Sequence, residues 1–483
     1  MRATPEPLPT IAIVGAGFSG TVLAACLLRE AAMPPTRIVL IERAPQLGRG
    51  VAYARRDHDY LLNVPAGRMS ADSSVPDEFL QYARRANPAV SPEDFLPRAL
   101  YGDYLDERLS VARREAPLHL QFEHLHAEVY AVRRWRREAA LRVELADGSA
   151  LVADMVVLAV GNAQPARLPQ IGAIEQHPAY VADPWRVPSA FAGERVLLIG
   201  TGLTMVDIAT AAWERGEGPA VIHAVSRHGL VPPRQTAFRP DALRADGEAV
   251  LLAAAPSTRR LVSAVRELVA DAELAGGDWR EAVSFVRKVA PTVWQRMPAD
   301  ERRRFLRHAR SYWDVHRHRL PAQNLRRVES LRAAGMLQVH AARLVATRAD
   351  ADGVHVTLRP RGSLEREELL VDRVVNCTGP DFDLRRLNDP LWRQLREDGL
   401  AVPDELGLGL RTGPHGAVFD REGWPGPRLF YLGPMLRADH WEATAALELR
   451  DHAEQLAARL AAQLSDNPAL AAGKAARSDR SSP

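Results

Sequence analysis

Two glycine-rich loops, each closing a short apolar strand and opening a helix, and a long helix-patterned stretch after the second loop predict the fold class. It is α/β, with two Rossmann-like dinucleotide-binding domains, the second inserted in the first, and an added helical insertion. The chain has 483 residues, which suits two or three domains, and its 46% hydrophobic content is enough for their cores. The formal charge of +3, from 63 basic and 60 acidic residues, gives no electrostatic footprint for a polyanion, so no nucleic-acid partner is expected. Cys26 and Cys377 are too few and too far apart for a disulfide framework, a cysteine zinc site or a vicinal redox pair. No metal site is expected. No run reaches about 18 apolar residues, and Met1–Pro9 lacks an apolar signal core, so no membrane segment and a cytoplasmic location are expected.

The first unit spans Thr10–Glu42. Ile11-Ala12-Ile13-Val14 is the apolar run a buried parallel strand needs. It ends in Gly15-Ala16-Gly17-Phe18-Ser19-Gly20, where Gly15 permits the tight turn, Gly17 lets a pyrophosphate approach the backbone, Gly20 lets helix pack on strand, and Phe18 and Ser19 are cofactor contacts with them. The helix Ser19–Arg29 points its amides at the phosphates. Ile38–Ile41 is the second strand, and Glu42 at its end is the acid that accepts from the adenosine ribose hydroxyls, with Arg43 beside it.

Gly48-Arg49-Gly50-Val51-Ala52-Tyr53 and Leu61–Ser70 have neither helical nor strand periodicity and read as a packed functional loop. In a flavin site Arg49 and Gly50 would meet the pyrophosphate and Asn63 would offer an amide near the ring. Val75–Arg113 is helical, with Asp77 and Asp103 as N-terminal acids. Leu118–Val132 and Leu141–Ala150 alternate like small strands, and Val129 is placed to meet an adenine edge through its backbone. Met155–Val160 is an apolar strand that returns to the first sheet and runs into Gly161, which is expected to bring backbone close to the first nucleotide as a cofactor contact.

A second unit occupies Arg195–Arg227. Val196–Ile199 is its strand and Gly200-Thr201-Gly202-Leu203-Thr204-Met205 its loop, with Gly200, Gly202 and Thr204 as cofactor contacts. Met205 stands at the third glycine position. The next strand, Val221–Val225, ends in Ser226-Arg227 rather than an acid. An acid repels a 2′-phosphate, whereas serine and arginine bind one, which favours NADPH over NADH.

From Asp241 to Gly335 the pattern is helical, with basic clusters at Arg302–Arg304 and His316–Arg319 that read as solvated faces. The segment is expected to cap the active site and shape a substrate pocket. Val339–Ala346 and Val354–Arg359 form a strand pair, and Arg373–Thr378 is a strand running into Gly379, mirroring Val156–Gly161. Leu429–Leu432 is the last buried strand, ending at Gly433, which is expected against a flavin ribityl chain. His440–Thr444 is read as the opening of a final helix that runs to about Leu460.

The motifs G-A-G-F-S-G, G-R-G-V-A-Y and L-L-N-V-P-A-G-R-M-S between Ile11 and Ser70, G-T-G-L-T-M-V-D at Gly200–Asp207 and H-W-E-A-T at His440–Thr444 resemble a bacterial family of FAD/NAD(P)-binding proteins. That family is distantly similar to flavin-containing, N-hydroxylating and Baeyer–Villiger monooxygenases. The resemblance implies FAD at the first unit and NADPH at the second. The chain lacks the longer Baeyer–Villiger fingerprint, and Gly433-Pro434 replaces the Gly-Asp pair common in flavoproteins. On this plan residues 1–190 and 373–465 form the FAD domain, 191–235 and 336–372 the NADPH domain, 236–335 the helical insertion and 466–483 a disordered tail. The expected activity is monooxygenation through a C4a-peroxyflavin, with molecular oxygen and a small nucleophilic substrate such as an amine or amino acid, and Asn63 as the catalytic candidate. An NADPH-dependent flavin reductase or electron-transfer protein, and a redox sensor, are the alternatives. No partner protein is indicated.

Overall fold

β1 (Thr10–Val14) is buried along its whole length, as an apolar run between two parallel neighbours must be. The computed structural model describes residues 8–135, 140–187, 191–214, 218–236 and 245–466, so the expected tail lies, from 467 on, outside the described residues. The described residues divide into two compact units. The first comprises 8–55, Pro65–Asn162 and 382–466, and the second Arg56–Val64 and Ala163–Asp381.

In the first unit β1 feeds α1 (Phe18–Arg29), which returns to β2 (Thr36–Glu42); the short α2 (Gly50–Tyr53), then α3 (Glu78–Ala86) and α4 (Arg98–Glu115), lead to β3 (Leu120–His126). β4 (Val129–Trp135), β5 (Ala140–Leu145) and β6 (Ala150–Ala153) make a separate antiparallel sheet, and β7 (Met155–Leu158) pairs parallel with β1. The α1 face is apolar nearly all round because it is sandwiched between the sheet and α4.

In the second unit β8 (Tyr180–Val181) is followed by β9 (Arg195–Ile199), α5 (Leu203–Glu214) and β10 (Val221–Ser226). Then come six helices: α6 (Gly247–Ala254), α7 (Thr258–Leu274), α8 (Trp279–Arg296), α9 (Ala299–His308), α10 (Arg310–Arg317) and α11 (Ala322–Ala333). β11 (Leu337–Asp350), β12 (Gly353–Pro360), β13 (Glu367–Val371) and β14 (Arg373–Asn376) complete the unit. Its seven-stranded sheet runs β13-β12-β11-β10-β9-β14-β8, parallel from β11 to β8. Val328 and Leu331 of α11 share a buried cluster with Val206 and Ala209 of α5 and Ile222 of β10. α11 is therefore the crossover helix that two parallel strands require, rather than part of the insertion.

The chain returns to the first unit with α12 (Pro390–Glu397), β15 (Ala417–Phe419), β16 (Pro425–Tyr431) and α13 (Ala446–Asp466). The first sheet thus runs β15-β16-β7-β1-β2-β3. Two expected boundaries move. β14 pairs with β9, not with the first sheet, so the return to the first unit comes after Asp381 and not at Arg373. The final helix begins at Ala446 rather than His440, because Trp441, Glu442 and Ala443 are buried in a run of turns before it, and it continues to Asp466. Among the described residues no helix is long and apolar enough to cross a membrane.

One ion cluster braces the first unit. Arg108 Nη2 donates to Asp72 at 2.8 Å and its Nε to Glu78 at 3.1 Å, while Arg29 Nη1 also donates to Asp72 at 2.8 Å. Burial pushes the Asp72 carboxyl up, but hydrogen bonds from Ser74 and Arg108, with the Arg108 charge, outweigh it and hold the pKa at about 2. A carboxyl depressed in the folded state stabilises above its unfolded pKa and loses that contribution as pH falls toward the folded one. The first unit is therefore expected to lose about 2 kcal/mol as pH falls from ~4 to ~2. Urea titrations across that range check it: Asp72→Asn should show a shallower loss, and a parallel one would refute the assignment.

Candidate dinucleotide sites

Both glycine loops are built on one plan. Gly15 N donates to Ile41 O at 2.8 Å, and Gly200 N donates to Val225 O at 2.8 Å, so each loop's first glycine is pinned to the second strand of its sheet. Both have left-handed backbones, φ +98° at Gly15 and +114° at Gly200. A Cβ on Gly15 would lie 2.6 Å from Ala159 O, just past β7; one on Gly200 would lie 2.5 Å from Cys377 O, just past β14. Glycine is thus required twice for the same reason, a tight turn squeezed against the third strand.

The second glycines are less crowded. Gly17 has Gly50 Cα at 3.5 Å from where its Cβ would be, and Gly202 is exposed with nothing within 4 Å. The third positions diverge. A Cβ on Gly20 would collide with Gly15 O at 1.8 Å, whereas Met205 is wholly buried among Val187, Phe191 and Leu198. Thr204 lies half-buried in the first turn of α5, and Ser19 is buried in the first turn of α1.

The residue after the pinning carbonyl is the clearest difference between the units. In the first it is Glu42, whose Oε2 accepts from Ala16 N at 2.6 Å and whose Oε1 accepts from Ala44 N at 2.9 Å. A carboxylate accepts about four hydrogen bonds, so two acceptor sites remain. In the second it is Ser226. Its Oγ accepts from Gly229 N at 3.0 Å and lies 2.8 Å from Thr201 Oγ1, which is itself 2.5 Å from Leu230 O. One proton on each hydroxyl satisfies that chain: Thr201 donates to Leu230 and Ser226 to Thr201. Arg227, next along, is exposed.

The remaining sequence candidates scatter. Arg49 does not stand free for a phosphate: its Nη1 donates to Ala99 O at 3.1 Å and its Nη2 to Asp103, because α4 crosses beside it. Its Nε is buried without a partner. Arg43 pairs with Glu128 at 3.2 Å on the surface. Gly50, φ +50°, opens α2 against Gly17. Val129 begins β4 and is buried opposite Leu145. Gly161 and Gly379, φ +72° and +85°, have open space around them and follow β7 and β14. Gly433 has extended backbone, and Tyr431 Oη would lie 2.6 Å from a Cβ there, so the glycine accommodates that tyrosine. Asn63 is half-buried and belongs to Arg56–Val64, which packs with the second unit, not with the loop residues of the first.

Two features went unseen in the sequence. Phe18, within the G-x-G-x-x-G core, stacks with the buried Tyr101 at 6.3 Å, and Tyr53 meets the same ring edge-on at 5.1 Å. This aromatic cluster holds the first loop from behind, and nothing in the spacing of residues 18, 53 and 101 announces it. Thr201 is the other: it occupies an unspecified position of the motif, yet its hydroxyl links the loop to Ser226.

Residues 12–163 match the family model described as FAD-NAD(P)-binding. A comparison with curated proteins gives no match. Among solved structures the fold is shared with an ornithine hydroxylase, PvdA, from Pseudomonas aeruginosa, in its reduced form (TM-score 0.62, 16% identity, 95% of this chain and 100% of that one). It is shared also with an L-lysine 6-monooxygenase from Pseudomonas syringae (0.60, 19%, 95% and 99%). A thioredoxin reductase from Lactococcus lactis is similar as well (0.51, 11%, 95% and 100%).

Proposed function

We propose that this chain is an FAD-dependent, NADPH-using monooxygenase that oxygenates a small amine or amino acid. The observation that carries the reading is the duplicated loop geometry, Gly15 and Gly200 pinned and crowded alike, with Glu42 at one nucleotide position and Ser226 at the other. Two dinucleotide cradles of opposite charge preference in one chain suit FAD and NADPH. The fold likeness to the ornithine and lysine enzymes supports an amine substrate.

The residues fit the groups. Gly15, Gly17 and Gly50 leave the first loop's backbone bare for a pyrophosphate, the amides at the start of α1 supply positive potential, and the unmatched Arg49 Nε is a donor for a phosphate oxygen. The two free acceptor sites of Glu42 suit vicinal ribose hydroxyls. In the second unit Gly202 leaves the approach open, Arg227 is exposed to donate to a 2′-phosphate, and Ser226 puts no carboxylate there to repel it. FAD supplies hydride acceptance and oxygen activation when bound. The chain binds, orients and shields, and Asn63, half-buried in the second unit, is the amide donor proposed for the chemistry.

Disulfide reduction, the other chemistry this fold supports, needs accessible and adjacent thiols. Cys26 and Cys377 lie in different units, and burial raises both thiols, Cys26 to about 11. The test is anaerobic reduction of the FAD-loaded protein by NADPH, then oxygen, across a panel of ω-amino acids and diamines. Hydroxylated product matching NADPH consumed is the expected result with one of them. Hydrogen peroxide accounting for all NADPH with every compound would favour a reductase and refute the reading.

A further inference from the structure

The strand ends of the second unit gather more charge and aromatic surface than the glycine motif accounts for. Ser226 pairs in register with Ala341 of β11, and Ala341 O accepts from Arg361 N at 2.8 Å. Arg361, on the exposed turn after β12, therefore stands level with Ser226, two strands along. From the other side, α10 of the helical insertion brings the Tyr312 ring to 5.3 Å from the His228 ring, yet leaves it 41% exposed. His228 has its pKa lowered by burial and then by the charges of Arg361 and Arg227, so near neutral pH its imidazole is an uncharged plate within reach of two cations. Its Nδ1 is buried without a partner.

We propose that Arg361 joins Arg227 in binding the 2′-phosphate of NADPH and that Tyr312, with His228, flanks the adenine. This rests on the NADPH reading of the second unit and adds two residues that no motif contains. The insertion thereby gains a second role, since a helix outside the Rossmann layers supplies a wall of the nucleotide site. A guanidinium facing a doubly charged phosphate makes the charge-assisted contact that separates NADPH from NADH. A ring beside the adenine gains affinity for both, since both carry the same base.

The experiment is calorimetric titration of the full chain loaded with FAD, using adenosine 2′,5′-bisphosphate and 5′-AMP as probes. Arg361→Ala should weaken the bisphosphate on the order of tenfold or more and leave 5′-AMP unchanged. Arg361→Lys should recover part of the loss. Tyr312→Ala should weaken both probes equally, by roughly fivefold or more. A wild-type protein that prefers the bisphosphate, with Arg361→Ala retaining that preference in full, would overturn the Arg361 assignment and leave the NADPH reading standing. Unchanged binding of both probes in Tyr312→Ala would overturn the assignment of that ring. A wild-type protein that binds neither probe would overturn the NADPH reading and this inference with it.

Discussion

Gly20→Ala is expected to yield a chain that retains no FAD and is destabilised by about 3 kcal/mol or more. The added methyl would sit 1.8 Å from Gly15 O and 3.3 Å from Ile13 Cγ2. Neither neighbour has room to retreat. Gly15 is held by its bond to Ile41 O, and Ile13 is wholly buried in the sheet. Relief must come from moving α1 off β1, which tilts the amides that face the pyrophosphate. Gly148→Ala, on the turn between β5 and β6, is the control, because its left-handed backbone costs about 1 kcal/mol while its surroundings are open. It should keep its flavin. Flavin absorbance per chain and urea midpoints separate the two; full flavin content in Gly20→Ala would show that the helix has slack the geometry denies.

The same position shows why the second loop is harder to read from sequence. A glycine there signals helix-on-strand contact through its lack of a side chain. Met205 signals nothing by itself, yet it is buried in the cluster formed by Val187, Phe191, Leu198 and Val206, so the volume that one unit removes the other fills. The apolar runs of β1, β2, β9 and β10 are legible because strands buried on both faces need continuous apolar sequence. β14 is legible as a strand but not as a member of the second sheet, since Val374 and Val375 would suit either core. The start of α13 is misplaced by sequence because Trp441, Glu442 and Ala443 are as buried as a helix core yet belong to no periodic pattern. Arg49 is only in part available to a phosphate because its partner Asp103, 54 residues away on α4, leaves no mark in the local sequence. Arg361 and Tyr312 depend on strand register and helix packing, which composition and spacing do not encode.

Ser226→Glu is expected to move the nucleotide preference toward NADH on the order of a hundredfold, about 3 kcal/mol. The residue stands where Glu42 stands in the first unit, one step past the carbonyl that pins the loop's first glycine. A carboxylate there accepts from both adenosine ribose hydroxyls of NADH and repels the doubly charged 2′-phosphate of NADPH. The swap need not dismantle the loop. Glu42 shows that a carboxylate at this position can hold its loop through a backbone N–H, and a glutamate in place of Ser226 can accept from Gly229 N as the serine does. Ser226→Ala separates support from selectivity, since it removes the acceptor for Gly229 N and the partner of Thr201 without adding charge. It should lose about 1 kcal/mol of stability and change the preference little. Anaerobic flavin reduction, timed separately with NADPH and NADH for all three proteins, reads the outcome. If Ser226→Glu kept the wild-type preference while folding normally, the ribose would lie elsewhere, and the correspondence between residues 42 and 226 would hold for the fold but not for the nucleotide.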